Sequence, residues 1–470
     1  MIINTVLLDK KRYKLVDEDY SEDKNVFTII VGSNGMGKSR ILKRIVNNLK
    51  NIDIEGEKIP KNYSKQITFD SYGHKTNFYS CATESKSYIS DDKIEIKKIN
   101  ENIKVLAVTT TPFDKFPVEY KGNQIYRYHD NQRYTYIGLK VSKNSLNQSN
   151  YLNLLARSML MSDNISNNKK LFQLLKLNSD YKIQFKSKLP SKDSDLMEYI
   201  SQKRRFIKKE LTKKLFINLL ESRYTTIHNL VKSKINFSKI YDAYMKCFPY
   251  LSQALNPRDE DVPREELLYL LDLGLINAVD FIFCESNGNY IKISDLSSGQ
   301  KCMILTLLNI AGSISNNSVV CIDEPEISLH PKWQREFMRV LIDFFSDYKR
   351  CHFIIATHSP LIISELSESN CYILNMDFGH AKKAEEYKSM SSDYQLVEVF
   401  GISGHNNEYL NRIVVSLLSK LSLTADLDKD DIKKLNVLVK LSKEMDDEDR
   451  VKQLIDILYL AWRKVMKNAK

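Results

Sequence analysis

Short apolar runs rich in β-branched residues recur along the chain, and each ends at a polar or glycine-rich segment. These runs show no alternation of polar and apolar positions, which is typical of strands buried on both faces. They lie at 26–31, 105–108, 319–322 and 353–356. Apolar residues from Ile41 to Leu49 follow the first run at helical spacing. The pattern therefore predicts an α/β fold.

Two other stretches are helical in pattern. Residues 196–248 lack sustained heptads, which predicts a short helical arm rather than a long coiled coil. Apolar stripes after Asp393 predict a helical module at the end of the chain. We therefore expect four regions: an N-terminal lobe at 1–140, a helical basic insertion at 141–285, a C-terminal lobe at 286–385 and a helical C-terminal module at 386–470.

The first buried strand runs into a loop with phosphate-binding spacing. Gly32 is followed by four residues and then by Gly37-Lys38-Ser39. Glycines let main-chain N–H groups turn inward around phosphates. The lysine would reach the β- and γ-phosphates of ATP, and the serine hydroxyl would hold Mg²⁺. The candidate ATP-binding residues of this loop are Gly32, Ser33, Asn34, Gly35, Met36, Gly37, Lys38, Ser39 and Arg40.

A second candidate phosphate contact lies far downstream, where Leu-Ser-Ser-Gly-Gln precedes a helical run. The hydroxyl of Ser297 and the N–H groups of Ser298 and Gly299 would face a γ-phosphate at the start of that helix. We call residues 296–300 the signature segment.

Two further strand ends carry groups suited to hydrolysis. The run at 319–322 leads to Asp323, which we expect to bind Mg²⁺, and to Glu324, which would polarise the attacking water. The run at 353–356 leads to His358, which would contact the γ-phosphate. The predicted catalytic residues are Glu324, His358 and Lys38.

These four segments, in this order, resemble the ABC ATPase superfamily. The resemblance implies an ABC-type ATPase head with a short inserted helical arm. It also implies that the signature segment of one copy faces the nucleotide of another. ATP would then be sandwiched in a head-to-tail homodimer, or in a higher homo-oligomer.

The motif Glu324-Pro325-Glu326 followed by Leu329-His330-Pro331 resembles the branch that includes the overcoming-lysogenization-defect nucleases and Septu-type defence ATPases. Residues 105–117 and 397–409 look like the PtuA ATPases of Septu antiphage systems, which are also found beside certain retrons. This resemblance implies a separate His-Asn-His (HNH) nuclease subunit similar to PtuB. It further implies a retron reverse transcriptase and its RNA–DNA product (msDNA) as regulators.

Two positions depart from the superfamily pattern or match it weakly. Where the superfamily has a glutamine that reaches Mg²⁺, the loop after 105–108 offers Asp114, which would bind the metal or cap its own loop. Tyr13 is a candidate for stacking on the adenine, although it is one of 26 tyrosines.

The positive charge of the chain is concentrated in one region. The formal net charge is +11, and residues 169–246 hold 19 Lys and Arg against 7 Asp and Glu. Such an excess suits DNA or RNA phosphates, although a solvated helical face would also carry it. The candidate nucleic-acid contacts are Lys203, Arg204, Arg205, Lys208, Lys209, Lys213 and Lys214.

Composition sets the remaining expectations. The start of the chain is charged too early for a signal peptide, and no run approaches the ~20 apolar residues of a membrane span. We therefore expect a cytoplasmic protein with no membrane contact. The seven scattered cysteines form no Cys-x-x-Cys pair, which speaks against zinc and against a disulfide framework.

Two other functions stay open at this point. A self-sufficient ATP-gated nuclease would need a metal-binding Toprim site, for which Glu398, Asp426 and Asp428 are the candidates. The two aspartates, however, precede a helical pattern and look like a first-turn charge cluster. His405-Asn406 has no partner histidine for a His-Asn-His nuclease. The other alternative is an SMC-like DNA-repair clamp without a nuclease.

Overall fold

The structure is a computed structural model that contains three β-sheets of four or more strands and a C-terminal group of helices. It describes residues 1–17, 20–21, 23–33, 35–50, 64–71, 74–80, 87–90, 104–111, 114–117, 133–138, 140–142, 145–146, 149–161, 177–187, 237–251, 253–285, 287–327, 329–363, 366, 370–387, 391–424 and 426–468.

The strands are β1 Ile2–Leu8, β2 Lys11–Lys14, β3 Val26–Val31, β4 Ser64–Ser71, β5 His74–Ser80, β6 Ser87–Ser90, β7 Val105–Thr109, β8 Tyr134–Ile137, β9 Lys140–Ser142, β10 Ser145–Leu146, β11 Leu177–Ser187, β12 Ala254–Leu255, β13 Ile276–Glu285, β14 Tyr290–Lys292, β15 Val319–Asp323, β16 His352–Ala356, β17 Cys371–Asn375 and β18 Ala381–Lys383. The α-helices are α1 Lys38–Lys50, α2 Ser149–Met161, α3 Phe237–Cys247, α4 Arg264–Asp272, α5 Ser298–Ala311, α6 Pro331–Phe344, α7 Pro360–Ile363, α8 Ser392–Glu398, α9 Glu408–Thr424, α10 Lys429–Ser442 and α11 Arg450–Asn468.

The central sheet has seven strands in the order β18-β17-β3-β16-β15-β7-β8. All neighbours run parallel except the edge strand β18. Phe27, Ile29 and Val31 of β3 pack into one hydrophobic cluster, whereas Val26 and Ile30 pack into another. Both faces of the sheet are therefore covered, which explains the continuous apolar runs and confirms the α/β prediction.

A five-stranded antiparallel sheet in the order β2-β1-β4-β5-β6 adjoins the second of these clusters. Its first hairpin turns at Asp9 and Lys10, which both have positive φ angles. This turn lies against the phosphate loop, because a Cβ added to Gly37 would come within 3.4 Å of Leu8.

The insertion at 141–285 was predicted to be helical, and its described part corrects that prediction. It does contain α2, α3 and α4, but β11, β12 and β13 also form a four-stranded antiparallel sheet with β14, in the order β12-β11-β13-β14. Residues 181–186 alternate between buried apolar and more exposed polar positions, the period-2 pattern of a strand with one covered face. The basic residues Lys203 to Lys214 lie outside the described residues.

The last helices form a module with its own hydrophobic core, as the apolar stripes predicted. α9, α10 and α11 bury one cluster between them, which includes Leu417, Leu435 and Leu458. Asn375 of the central sheet donates from Nδ2 to the Val399 carbonyl over 2.7 Å and joins the sheet to the segment before α9. Within the described residues, no helix has the length and apolar character needed to cross a membrane.

Candidate active site

Three neighbouring strands of the central sheet end at the same level. Ala356 of β16 is paired with Ile30 of β3 on one side and with Asp323 of β15 on the other. The ladder extends one step further, since Thr357 N–H donates to the Ile30 carbonyl over 3.1 Å and Glu324 N–H donates to the Ala356 carbonyl over 2.9 Å. The three predicted catalytic segments therefore meet at one edge of the sheet.

The phosphate loop connects β3 to α1, as predicted. Lys38 is buried at the start of α1, and its Nζ donates to the carbonyls of Gly32 over 2.7 Å and Ser33 over 3.1 Å. Burial lowers the pKa of Lys38, and the nearby carboxylate of Glu324 opposes that shift. The ammonium is thus partly dehydrated and points into the loop, where a phosphate would gain a strong charge-assisted contact.

The rest of the loop has the backbone that its glycines suggest. Gly37 has a φ of +102° and Gly35 a φ of +81°, values that L-residues rarely adopt. Met36 packs at the margin of the second core cluster. Arg40 forms an ion pair of 2.5 Å with Asp9, so it is bound to the β1–β2 turn. Asn34 lies outside the described residues.

Ser39 and Asp323 are brought together by α1 and β15. The Ser39 hydroxyl donates to Asp323 Oδ1 over 3.0 Å. Burial raises the pKa of Asp323 to about 7, and the Ser39 hydrogen bond counteracts part of that rise. Two oxygen ligands, one of them a buried carboxyl group that a nearby cation would ionise, suit the hard ion Mg²⁺. With the nucleotide phosphates and water as further ligands, these residues would hold it, and it would neutralise charge on the phosphates.

His358 lies between Lys38 and Glu324. Its Nδ1 accepts from Lys38 Nζ over 3.3 Å, and its Nε2 lies 3.7 Å from Glu324 Oε1. Burial and then the charge of Lys38 lower the pKa of His358, which favours the neutral ring. Since Nδ1 accepts, Nε2 carries the proton and faces the carboxylate.

Glu324 has a strained backbone, with a φ of +50°. Residues other than glycine adopt this region infrequently, and such strain concentrates at functional sites. The Thr110 hydroxyl donates to the Glu324 carbonyl over 3.1 Å, and the Glu324 N–H is bound to Ala356. Thr110 was not among the site residues predicted from the sequence. Its position directly after the apolar run of β7 would have indicated a polar residue at the same end of the sheet.

The signature segment lies at the start of α5. Ser297 is the N-cap residue, and it forms a reciprocal capping box with Gln300. Ser297 and Ser298 are exposed, and Gly299 is buried. The structure confirms that a helix starts here. That this segment faces the γ-phosphate of ATP bound to a second copy stays a prediction.

The structure favours the loop-capping role of Asp114. Its Oδ1 accepts from the Phe116 N–H and its Oδ2 from the Tyr136 hydroxyl, both over 2.9 Å. Both oxygens therefore serve the loop, while metal binding by Asp114 stays a prediction.

Tyr13 is buried in the β1–β2 hairpin, and Lys11 Nζ lies 5.1 Å from its ring centre. Adenine stacking on Tyr13 stays a prediction.

The candidate Toprim carboxylates make local contacts in this structure. Glu398 accepts from the Tyr409 hydroxyl over 2.8 Å. Asp428 caps α10 by accepting from the N–H groups of Asp430 and Asp431, as the first-turn interpretation predicted. Among the residues that the structure describes, no group of three or more His, Cys, Asp or Glu side chains is arranged to hold a metal ion.

This arrangement of a phosphate loop, an Asp-Glu strand end and a histidine agrees with the comparison to known families. Residues 5–363 match the family described as the AAA ATPase domain. The chain belongs to the AAA ATPase domain family.

Similar proteins match this AAA ATPase over short stretches. Retron Vc95 probable ATPase of Vibrio cholerae serotype O1 biovar El Tor is 32% identical over 100 residues, 19% of this chain and 19% of the relative. Retron Ec83 probable ATPase of Escherichia coli is 24% identical over 193 residues, 38% of this chain and 35% of the relative. The chain thus spans well under two thirds of the length of either relative.

Solved structures cover more of the chain at low similarity. The SMC head domain from Thermotoga maritima has 14% identity and a TM-score of 0.31, covering 81% of this chain and 97% of its own. A nucleotide-free ATP-binding cassette from an ABC transporter has 12% identity and a TM-score of 0.26, covering 85% and 98%. At these scores the likeness carries no argument about function.

Proposed function

We propose that this chain is an ATPase, which hydrolyses ATP to ADP and phosphate, and that it is a subunit of an antiphage defence complex similar to the PtuA proteins of Septu and retron systems. Two copies would bind head to tail around ATP, and the assembly would regulate a separate His-Asn-His nuclease subunit. The observation that carries the proposal is the convergence of Ser39, Asp323, Glu324 and His358 around Lys38.

Each residue has a defined task in the proposed hydrolysis. Lys38 and the loop N–H groups bind the β- and γ-phosphates, and Ser39 with Asp323 holds Mg²⁺. Glu324 orients and polarises the attacking water, while His358 contacts the γ-phosphate and senses its presence. The second copy would complete the site with Ser297 and the N-terminal N–H groups of its α5.

The defence role draws its support from two sources. The matched relatives in Vibrio cholerae and Escherichia coli are named retron probable ATPases. Residues 105–117 and 397–409 also resemble the PtuA group. A reverse transcriptase with its RNA–DNA product would bind as a regulator, and the basic residues Lys203 to Lys214 would contact nucleic acid through its phosphates.

Mixing two inactive variants tests the head-to-tail arrangement. Lys38→Ala removes phosphate binding, and Ser297→Asp keeps a good N-cap residue while it places a negative charge against the γ-phosphate. Each variant alone should hydrolyse ATP poorly. A mixed dimer has one intact composite site, so equal mixing with random pairing should restore roughly a quarter of the wild-type rate. Ser391→Asp, another exposed serine before a helix, is the matched control and should keep full activity.

No recovery on mixing, with both variants folded and mixed dimers detected in the presence of ATP, would refute the composite site.

Purification of the tagged chain from its host tests the partners. We expect a small His-Asn-His nuclease and nucleic acid to accompany the chain. Recovery of the chain alone, with Mg²⁺-dependent nicking lost in Glu398→Ala, would favour a self-sufficient nuclease. ATP-dependent DNA loading without a nuclease partner would favour a clamp.

A further inference from the structure

We infer that Glu326 and Gln334 are positioning residues for ATP hydrolysis, which hold the loop that carries His358. The inference rests on the proposed catalytic role of His358. Neither Glu326 nor Gln334 is part of the phosphate loop, the metal-binding pair or the signature segment. Glu326 contacts the main chain of His358, and Gln334 contacts the residue that follows it.

Glu326 binds the main chain of the histidine itself. Its Oε1 accepts from the His358 N–H over 2.6 Å. Glu326 and His358 lie in the loops after β15 and β16, so this contact joins the end of one strand to the end of its neighbour. Hydrogen bonds in which the acceptor is an ionised carboxylate are shorter and stronger than those between neutral groups. The position of the imidazole therefore depends on a residue beyond the Asp323-Glu324 pair.

Gln334 on α6 forms a second link between the loops that follow β15 and β16. Its Nε2 donates to the main-chain carbonyls of Leu329 over 3.0 Å and Glu326 over 3.4 Å. Its Oε1 accepts from the Ser359 hydroxyl over 2.7 Å. One amide side chain thus joins the loop after β15 to the residue that follows His358. All three hydrogen-bonding positions that the structure shows for this amide hold the two loops together.

These contacts hold the main chain at His358 and at the residue after it. Glu326 holds its N–H, and Gln334 holds Ser359 directly after it. The main chain that carries the ring is thereby held where the imidazole reaches both Lys38 and Glu324. Displacement of a catalytic group by about 1 Å costs on the order of 100-fold in rate, so the loss of this support should appear in turnover.

A double-mutant cycle in the full chain tests this inference. Glu326→Ala, Glu326→Gln and Gln334→Ala are each made in the wild-type chain and in His358→Ala. Steady-state kcat and KM for ATP and the equilibrium Kd for ATP are measured for every variant. Glu385→Ala, an exposed glutamate in the segment after β18, is the control and should behave as wild type.

In the wild-type chain, we expect Glu326→Ala to lower kcat by roughly 10- to 100-fold, with the Kd for ATP changed by less than about 3-fold. Glu326→Gln should recover most of the rate, because the amide oxygen still accepts from the His358 N–H. In the His358→Ala chain, Glu326→Ala and Gln334→Ala should lower kcat little further, because both act through the imidazole that this chain lacks.

The inference would be overturned if Glu326→Ala and Gln334→Ala lowered kcat by the same factors in the His358→Ala chain as in the wild-type chain. It would also be overturned if both variants turned over ATP at the wild-type rate. If Glu326→Ala does not fold, the cycle of Gln334→Ala against His358→Ala decides by the same criterion. Failure of the proposed function looks different. In that case His358→Ala itself would hydrolyse ATP at the wild-type rate.

Discussion

His352 is a fully buried histidine in the central sheet, and its neighbours hold it in one neutral form. The Ile3 N–H donates to its Nδ1 over 2.9 Å, so Nε2 carries the proton. Nε2 lies 2.9 Å from the hydroxyl oxygen of Thr28, and that hydroxyl donates to the Leu15 carbonyl. Burial lowers the pKa of His352 to about 3 from its usual 6.5. Protonation would place an uncompensated charge in the core and break the contact with Ile3.

This pKa shift predicts a loss of stability in mild acid. Between pH 6.5 and about 3, the unfolded chain binds a proton at His352 that the folded chain does not. The stabilisation of the folded chain by neutral His352 is fully present above pH 6.5. It is lost as the pH falls, at up to about 1.4 kcal/mol of unfolding free energy per pH unit. Integrated from pH 7 to pH 5, His352 alone should lower the free energy of unfolding by about 2 kcal/mol.

Urea unfolding at pH 7, 6 and 5 measures this effect. The chain has two tryptophans, and Trp462→Phe leaves Trp333 on α6 as the reporter of the ATPase core. In that background, His352→Gln should lose about 2 kcal/mol less than its parent between pH 7 and pH 5. His380→Gln removes an exposed histidine and should keep the parental pH dependence. Parallel pH profiles for His352→Gln and its parent would refute the reasoning.

Three further predictions concern the loop, the C-terminal core and a cap. Gly37→Ala places a Cβ on a residue with a φ of +102°, so ATP binding measured by calorimetry should be lost while the fold survives. Leu458→Ala empties a fully buried position and should cost about 2–5 kcal/mol of module stability, followed by Trp462 emission in urea. Asp428→Ala removes the cap of α10 and should cost about 1 kcal/mol in the same assay, whereas Asp428→Asn should cost little.

The sequence was sufficient for the parts of the site that depend on local pattern. Buried strands such as β3 and β15 have no alternation because both sides of the sheet are covered, and their ends carry the polar groups. The phosphate loop, the Asp-Glu pair and His358 each follow such a run directly. Residue type and position within a single element were enough to predict these groups.

The supporting residues were harder to predict, because their partners are distant in sequence. Thr110 binds the carbonyl of Glu324, which is 214 positions away, and Gln334 binds Ser359 across 25 positions. No short motif reports such pairs. The antiparallel sheet around β11 was missed for another reason, because its alternation at 181–186 lies beside a long lysine-rich stretch whose pattern is helical.

The main chain and the side chains of this site have different freedom to respond to ATP. The hydrogen bonds that extend the ladder beyond Ile30 and Ala356 fix the three strand ends relative to one another. A bound phosphate would compete with the loop carbonyls and with His358 for the Lys38 ammonium, because all of them lie within 3.3 Å of Nζ. Lys38 would then release the imidazole, whose backbone stays fixed by Glu326. Nucleotide binding would thus be signalled by the His358 ring turning between Lys38 and Glu324, rather than by movement of the sheet.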